Sequence, residues 1–158
     1  LFMFSKLITS DLLKVKPNLF LYYLSDTSMS SVIYKMRNSK LMRANSINKE
    51  KIDLKKHHIW FDKFIKTNKI YLIKYNLVDI GYLRLEFLNK NKIEISIFIK
   101  AIFHKKGFAS SILNFAISIH KPYIFLARVL KKNLILENFF RKNNFSEKSN
   151  KRKLFIIS

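Results

Sequence analysis

Apolar positions recur along this chain with two periods, and the order of these periods predicts a mixed set of strands and helices. Strict alternation predicts a strand, whereas apolar residues three and four positions apart predict an amphipathic helix. The alternating segments are Asn18–Leu24, Lys69–Tyr75, Ile80–Leu88, Lys92–Ile99, Tyr123–Val129 and Lys153–Ile157. The helical stripes run from Ser28 or Ser30 to Arg37, and over Lys49–Lys66, Phe108–Ile119 and Leu134–Asn143.

Three of the predicted strands follow one another as a meander, and a strand–helix–strand crossover comes after them. Hairpins join antiparallel strands, whereas a crossover helix joins parallel ones. We therefore expect an α/β (α+β mixed) fold whose central sheet is mixed and mostly antiparallel, flanked by about four helices. A chain of 158 residues usually makes one domain. We expect residues 1–158 to form it, with residues 1–17 as an N-terminal extension or the remnant of an upstream segment.

Composition removes several kinds of chemistry. The chain has no cysteine, so it forms neither disulfides nor thiolate metal sites. Its four histidines follow no metal-binding spacing, so we expect no metal. No apolar run approaches the roughly 18–20 residues that cross a bilayer, and the apolar start Leu1–Ile8 is too short for a secretory signal. We therefore expect a cytoplasmic protein without a membrane span.

The formal net charge of +21 suggests a nucleic-acid or acidic membrane partner. Lysine occurs 25 times and arginine only six times, however, and arginine is the residue that reads base edges best. Lysine, asparagine, isoleucine and phenylalanine all have A/T-rich codons, so base composition accounts for much of the lysine excess. We expect no nucleic-acid partner, and keep a basic binding module as the rival interpretation.

A short basic turn leads from the strand Lys92–Ile99 into the helix that starts at Phe108. Amides at a helix start lack internal partners, and the helix dipole favours an anion there. The turn holds one of only two glycines, which permits a close approach of backbone to ligand. An ordinary strand-to-helix turn with solvated lysines is the alternative. The candidate phosphate-binding residues are His104, Lys105, Lys106, Gly107, Phe108, Ala109 and Ser110.

This strand, turn and helix resemble the acetyl-CoA site of the GNAT N-acetyltransferase superfamily, in which [QR]-x-x-G-x-[GA] follows a meander. The motif reads His-Lys-Lys-Gly-Phe-Ala here, with His104 in the place of Gln or Arg. The resemblance implies that turn amides bind the pyrophosphate of acetyl-CoA. It also implies that Lys92–Ile99 splays from Tyr123–Val129, and that free amides near Phe98 and Ile99 hold the pantetheine arm and the developing oxyanion.

Many GNAT members carry N-x-x-S-x-x-x-Y-x-K-x-G-F in the next strand–helix unit. The corresponding residues here are Asn133, Leu136, Phe140, Lys142, Asn144 and Phe145. The resemblance adds Asn133 to the acetyl-CoA site, and Asn144 tolerates the left-handed conformation of the family glycine. Phe140 stands where the family tyrosine often protonates the CoA thiolate. The usual general acid is therefore missing. Either another residue, water or solvent protonates the thiolate, or the domain is catalytically degenerate. Packing in the core is the alternative role for Phe140.

An R-N…R…H-x-x-W-F series resembles the acetyltransferases of the pseudaminic-acid pathway, which acetylate a UDP-linked amino-dideoxy sugar. A UDP-sugar site needs cations for the diphosphate, an aromatic wall and polar anchors. Arg37 and Arg43 suit the diphosphate, Trp60 suits the wall and His57 suits an anchor. Core or helix-surface packing is the alternative for the last two. Ribosomal-protein N-terminal acetyltransferases share part of the pattern.

These observations predict an acetyl-CoA-dependent N-acetyltransferase with direct transfer to a primary amine. The expected acceptor is the 4-amino group of a UDP-linked amino-dideoxy sugar in nonulosonic (pseudaminic) acid or surface-glycan synthesis, and a protein N-terminus is the alternative. Glu94 is the candidate base, ahead of Glu86, because a strand carboxylate can take the amine proton. We expect a homodimer, or fusion to or association with another enzyme of the sugar pathway.

Overall fold

The computed structural model describes residues 11–46, 48–149 and 153–157, and there the chain forms an eight-stranded sheet in the order β1-β2-β3-β4-β5-β6-β8-β7. The strands are β1 Leu12–Lys16, β2 Leu19–Tyr23, β3 Lys69–Tyr75, β4 Val78–Asn89, β5 Lys92–Ile99, β6 Ile124–Val129, β7 Ser146–Ser149 and β8 Lys153–Ile157. The helices are α1 Ser30–Arg37, α2 Lys40–Ala44, α3 Leu54–Phe64, α4 Phe108–Ile119 and α5 Leu134–Lys142.

The strand pairing agrees with the sequence pattern. Neighbouring strands are antiparallel except β5 and β6, which are parallel because α4 crosses over between them. The predicted mixed, mostly antiparallel sheet is therefore confirmed. Five α-helices accompany it in the described residues, one more than about four.

Elements β1, α2 and β7 were not predicted. Each has five residues or fewer, too few positions to establish a period. Strand β1 pairs with β2, so residues 12–16 of the predicted N-terminal extension belong to the sheet. Residues 1–10, which include the apolar segment Leu1–Ile8, lie outside the described residues. None of the described helices has the length and apolarity to span a membrane.

Side-chain caps set several helix ends more sharply than periodicity does. Helix α3 begins at Leu54 rather than Lys49, because the Asp53 carboxylate accepts a hydrogen bond from the Lys56 amide at 3.0 Å. Ser39 starts α2 in the same way, since its hydroxyl accepts from the Met42 amide at 3.3 Å. The segment between the helices predicted at Arg37 and Lys49, for which the sequence indicated no element, therefore contains a short helix.

The sheet is buried on both faces. Helices α4 and α5 cover one face, called here the α4–α5 face, where Ile93, Ile95 and Ile99 of β5 join the larger core. Helices α1 and α3 cover the other, called the α1–α3 face, where Phe98 of β5 packs in a second core. Since side chains alternate along a strand, Glu94 and Ser96 of β5 belong to the α1–α3 face.

Candidate functional site

Strands β5 and β6 separate part-way along their length. Their parallel pairing covers Lys92–Glu94, whereas β5 stays paired with β4 as far as Ile99. From the position after Glu94 onward, one side of β5 therefore has no β6 partner. This opening is the splay that the family resemblance implies.

The hydrogen-bond alternation decides which amides face the opening. The Lys100 amide donates to the Ile80 carbonyl of β4 at 2.8 Å, and the Ile124 amide of β6 donates to the Asn91 carbonyl at 2.8 Å. Along a strand, successive peptide groups point to opposite neighbours. The N–H groups of Ile97 and Ile99 therefore face the opening, while that of Phe98 faces β4. The Phe98 ring packs on Tyr82, with ring centroids 5.7 Å apart.

The basic turn joins the end of β5 to α4 through two left-handed residues. Lys105 has a φ of 59° and Gly107 a φ of 74°. No atom lies within 4 Å of where a Cβ on Gly107 would stand, so its left-handed φ, not crowding, favours glycine here. The His104 ring bonds through Nε2 to the Ile99 carbonyl at 2.7 Å and so holds the turn against β5.

The first turn of α4 offers unbonded amides to a ligand. The first helical hydrogen bond at this end runs from the Ser111 amide to the Gly107 carbonyl at 3.1 Å. The amides of Phe108, Ala109 and Ser110 precede it and have no helical acceptor. With Lys105 and Lys106 beside them, they form an electropositive turn of the kind that holds a pyrophosphate.

The end of α5 is tied to this first turn by a buried side chain that the sequence analysis did not select. Asn143 is 7% exposed, and its Nδ2 donates to Ser110 Oγ at 3.2 Å and to the Phe139 carbonyl at 2.8 Å. The next residue, Asn144, has a φ of 67°, as its place in the family pattern predicted. The sequence feature that could have indicated Asn143 is its place directly before Asn144, the left-handed residue at the helix end.

Phe140 lies in the core. It is 2% exposed, and its ring centroid is 5.1 Å from that of Phe139, 5.0 Å from that of Phe145 and 6.1 Å from that of Phe155. The Phe145 amide also donates to the Phe140 carbonyl at 3.0 Å, which closes the helix end. The alternative of core packing therefore describes this residue.

Asn133 and Arg43 make contacts within the protein. Asn133 caps α5 by accepting from the Leu136 amide at 3.1 Å, and its Nδ2 donates to Asn45 Oδ1 at 3.1 Å. Arg43 donates to the Asn38 carbonyl at 3.2 Å and to the Lys49 carbonyl at 3.1 Å. The Arg43 guanidinium thus holds the loop after α1, while Asn133 joins α5 to the residue that follows α2.

Arg37, His57 and Trp60 come together on the α1–α3 face. His57 is 0% exposed, and burial lowers its pKa. A neutral ring donates through Nε2 to the Ser30 carbonyl at 2.9 Å and accepts through Nδ1 from Arg37 Nη1 at 3.4 Å. The Arg37 guanidinium carbon lies 3.9 Å from the centroid of the Trp60 ring. His57 therefore positions Arg37 on an aromatic surface.

Arg84 is a site residue that the sequence analysis missed. It projects from β4 on the same face, donates through Nη2 to Ser96 Oγ at 3.1 Å and lies 5.6 Å from the Phe64 ring centroid. Its Nε is buried and has no hydrogen-bond partner in the described part of the chain. An arginine at a strand position facing inward was the available signal.

The predicted base Glu94 stands where the strands separate. It occupies the last position of β5 that pairs with β6, where it lies opposite Leu126 of β6 and Glu86 of β4. Its Oε2 accepts from Arg128 Nε at 2.8 Å, and its side chain is 12% exposed. This bond raises the pKa of Arg128, so the arginine stays charged beside the carboxylate.

A parallel pair that opens before a left-handed basic turn, late in a mostly antiparallel sheet, is the arrangement of the GNAT acetyltransferase fold. Solved structures with this fold include the microcin C7 self-immunity acetyltransferase MccE in complex with acetyl-CoA and AMP. It aligns over 94% of this chain and 97% of its own, with a TM-score of 0.78 and 13% identity. These values establish a shared fold.

Two further acetyltransferase structures align over similar lengths. The spermidine N-acetyltransferase from Vibrio cholerae, in complex with CoA and spermine, has a TM-score of 0.73 and 17% identity, covering 89% of this chain and 93% of that one. RimL, a ribosomal L7/L12 alpha-N-protein acetyltransferase in complex with CoA, has a TM-score of 0.73 and 13% identity, covering 92% and 97%. The sequence matches no protein-family model and no curated protein.

Proposed function

We propose that this protein is an N-acetyltransferase that uses acetyl-CoA and transfers the acetyl group directly to a primary amine. The observation that carries the proposal is that the opening between β5 and β6 leads into the left-handed basic turn. The turn supplies unbonded amides and two lysines for a pyrophosphate, and the opening supplies strand amides for an extended arm. These groups fit the two ends of acetyl-CoA.

Acetyl-CoA would supply an acetyl group activated as a thioester. In this proposal the amides of Ile97 and Ile99 donate to the oxyanion that develops at its carbonyl. Glu94 takes the proton of the attacking amine, directly or through water. Phe140 has no ionisable group, so the departing sulfur takes its proton from another residue, water or solvent. The absence of cysteine agrees with direct transfer.

For the acceptor we propose the 4-amino group of a UDP-linked amino-dideoxy sugar in nonulosonic (pseudaminic) acid or surface-glycan synthesis. The grouping of Arg37 with Trp60 and His57 supports it, since a cation on an aromatic wall suits a nucleotide phosphate and base. A protein N-terminal amine is the second candidate. It is favoured by the likeness to RimL, which is described as acting on a ribosomal protein N-terminus.

The first test measures acetyl-CoA binding by calorimetry and then CoA release with UDP-amino sugars and with N-terminal peptides. We expect micromolar-range binding and turnover with one acceptor class. Gly107→Glu should abolish binding, because it brings bulk and negative charge to the pyrophosphate site, whereas Lys90→Glu on the exposed β4–β5 turn should not. Undetectable acetyl-CoA binding by the unaltered protein, together with strongly salt-dependent DNA binding, would favour the basic-module interpretation.

A further inference from the structure

Two arginines on the α1–α3 face lack a carboxylate partner. The ion pairs in the described residues join Lys74 to Asp79, Arg128 to Glu94, and Arg141 to Glu137 and Glu147. Arg37 and Arg84 belong to none of these pairs. Each instead contacts a neutral polar group and an aromatic ring: His57 and Trp60 for Arg37, and Ser96 and Phe64 for Arg84.

The two guanidinium groups lie on neighbouring aromatic rings, Arg37 on Trp60 and Arg84 on Phe64. Burial lowers the pKa of Arg37, and although nearby Tyr82 opposes this, the positive charge of Arg84 lowers it further. The two aromatic supports are themselves neighbours, with the ring centroids of Trp60 and Phe64 5.1 Å apart. Burying two like charges together destabilises the fold. A pair of perturbed cations of this kind is a candidate binding site for an external anion.

The two strand carboxylates on the same face, Glu94 and Glu86, form no ion pair with these arginines. Glu94 is bonded to Arg128, and Glu86 lies opposite Glu94, one strand repeat beyond Arg84. Arg84 lies opposite Ser96, two residues past the last β5–β6 pair. Arg84 therefore lies beside the opening, on the face that carries Glu94, the proposed base for the acceptor amine.

We propose that Arg37 and Arg84 form a binding pocket for a phosphate of a nucleotide-linked acceptor, with Trp60 and Phe64 as its wall. Two positive charges match the two negative charges of a diphosphate better than the single charge of a carboxylate. Arg84 takes the second cationic role that the sequence analysis gave to Arg43. His57 is a positioning residue that orients Arg37. The inference rests on the proposed function for one step only, the acetylation of the acceptor after it has bound.

UDP is the probe for the pocket, measured by calorimetry with the whole protein and with Arg84→Met. We expect the variant to bind UDP about tenfold or more weakly, the loss expected from a hydrogen bond to a charged group. Arg84→Lys should recover part of the affinity, and Arg141→Met, which removes an exposed arginine far from the opening, should leave it unchanged. Equal UDP affinity in Arg84→Met would overturn the pocket.

Acetyl-CoA affinity, measured on the same variants, separates this inference from the proposed function. We expect Arg84→Met to keep it. If the unaltered protein binds UDP but not acetyl-CoA, the pocket stands and the acetyltransferase proposal fails; the reverse outcome refutes the pocket alone. Glutarate, a dicarboxylate, tests the assignment to phosphate, because binding as tight as that of UDP would overturn it.

The thermal unfolding midpoint without ligand distinguishes a binding role from a structural one. A pocket kept for a ligand predicts a higher midpoint for Arg84→Met, because the substitution removes a buried, unpaired Nε and a like-charge repulsion. A structural arginine predicts a lower midpoint and equal weakening of UDP and acetyl-CoA binding. The second outcome would overturn the proposal.

Discussion

Replacing Phe140 with tyrosine introduces the residue type of the GNAT pattern that this segment resembles, and the structure predicts a loss of stability rather than a gain of activity. The ring packs against Phe139, Phe145 and Phe155 and is 2% exposed. A hydroxyl placed there loses its hydration without a clear acceptor. Such a buried, unsatisfied group costs about 1–3 kcal/mol.

The expected loss is large enough to measure. For a domain of this size, 1 kcal/mol shifts the unfolding midpoint by about 2–4 °C, so Phe140→Tyr should lower it by roughly 2–12 °C. Calorimetry or urea unfolding gives the stability, and CoA release against pH gives the catalytic effect. We expect no increase in kcat and no new basic limb in the pH profile, because the ring is buried among other aromatic rings of the core.

Phe139→Tyr is the matched control, because Phe139 is the adjacent ring of α5 and only half-buried. Its hydroxyl can reach water, so the midpoint should change little. The reasoning fails if Phe140→Tyr keeps its midpoint and raises kcat severalfold. That result would mean that the ring position communicates with the departing sulfur and that the core contacts of Phe140 leave room for an acid.

Two further predictions concern stability. Asn143→Ala should lower the free energy of unfolding by about 1–3 kcal/mol, since it removes two side-chain hydrogen bonds, to the Phe139 carbonyl and to Ser110 Oγ; unchanged urea unfolding would contradict this. Burial lowers the pKa of His57 below the ordinary histidine value of 6.5, so below that pH the unfolded chain binds more protons than the folded one and stability falls. The difference in unfolding free energy between pH 7.5 and pH 5.5 should therefore be smaller in His57→Gln than in the unaltered protein. We assign the remaining loss of stability at low pH to His120, whose pKa burial also lowers. An equal pH dependence in the two proteins would contradict the assignment to His57.

Positions whose conformation depends on local chemistry were predictable from sequence. Asn144 adopts the left-handed backbone that its place in the family pattern predicted, and Gly107, predicted only to allow a close approach of backbone to ligand, is left-handed too. The long strands were predictable too, because their alternation extends over many residues. The short edge strands β1 and β7 were not, because pairing with a neighbour determines them more than their own pattern does.

Roles that depend on residues distant in sequence could not be predicted. Arg84 has its aromatic contact at Phe64 and its hydroxyl partner at Ser96, which sequence position does not bring together. His57 was predicted as an anchor for the acceptor, but the structure gives both ring nitrogens protein partners. Arg43 was grouped with Arg37 by spacing, although its guanidinium donates to loop carbonyls.

The short ladder between β5 and β6 divides the sheet into two leaves. Strands β1–β5 form one part and β6–β8 the other, and only the three residue pairs at Lys92–Glu94 join the two parts through strand pairing. Helix α4 contacts β1 and β5, while α5 contacts β6. The Asn143–Ser110 hydrogen bond therefore links the two parts of the sheet through their helices. Loss of this hydrogen bond should therefore raise the amide exchange rates of β6 and β8 before those of β3 and β4. The boundary between β5 and β6 would then be the first part of the sheet to open.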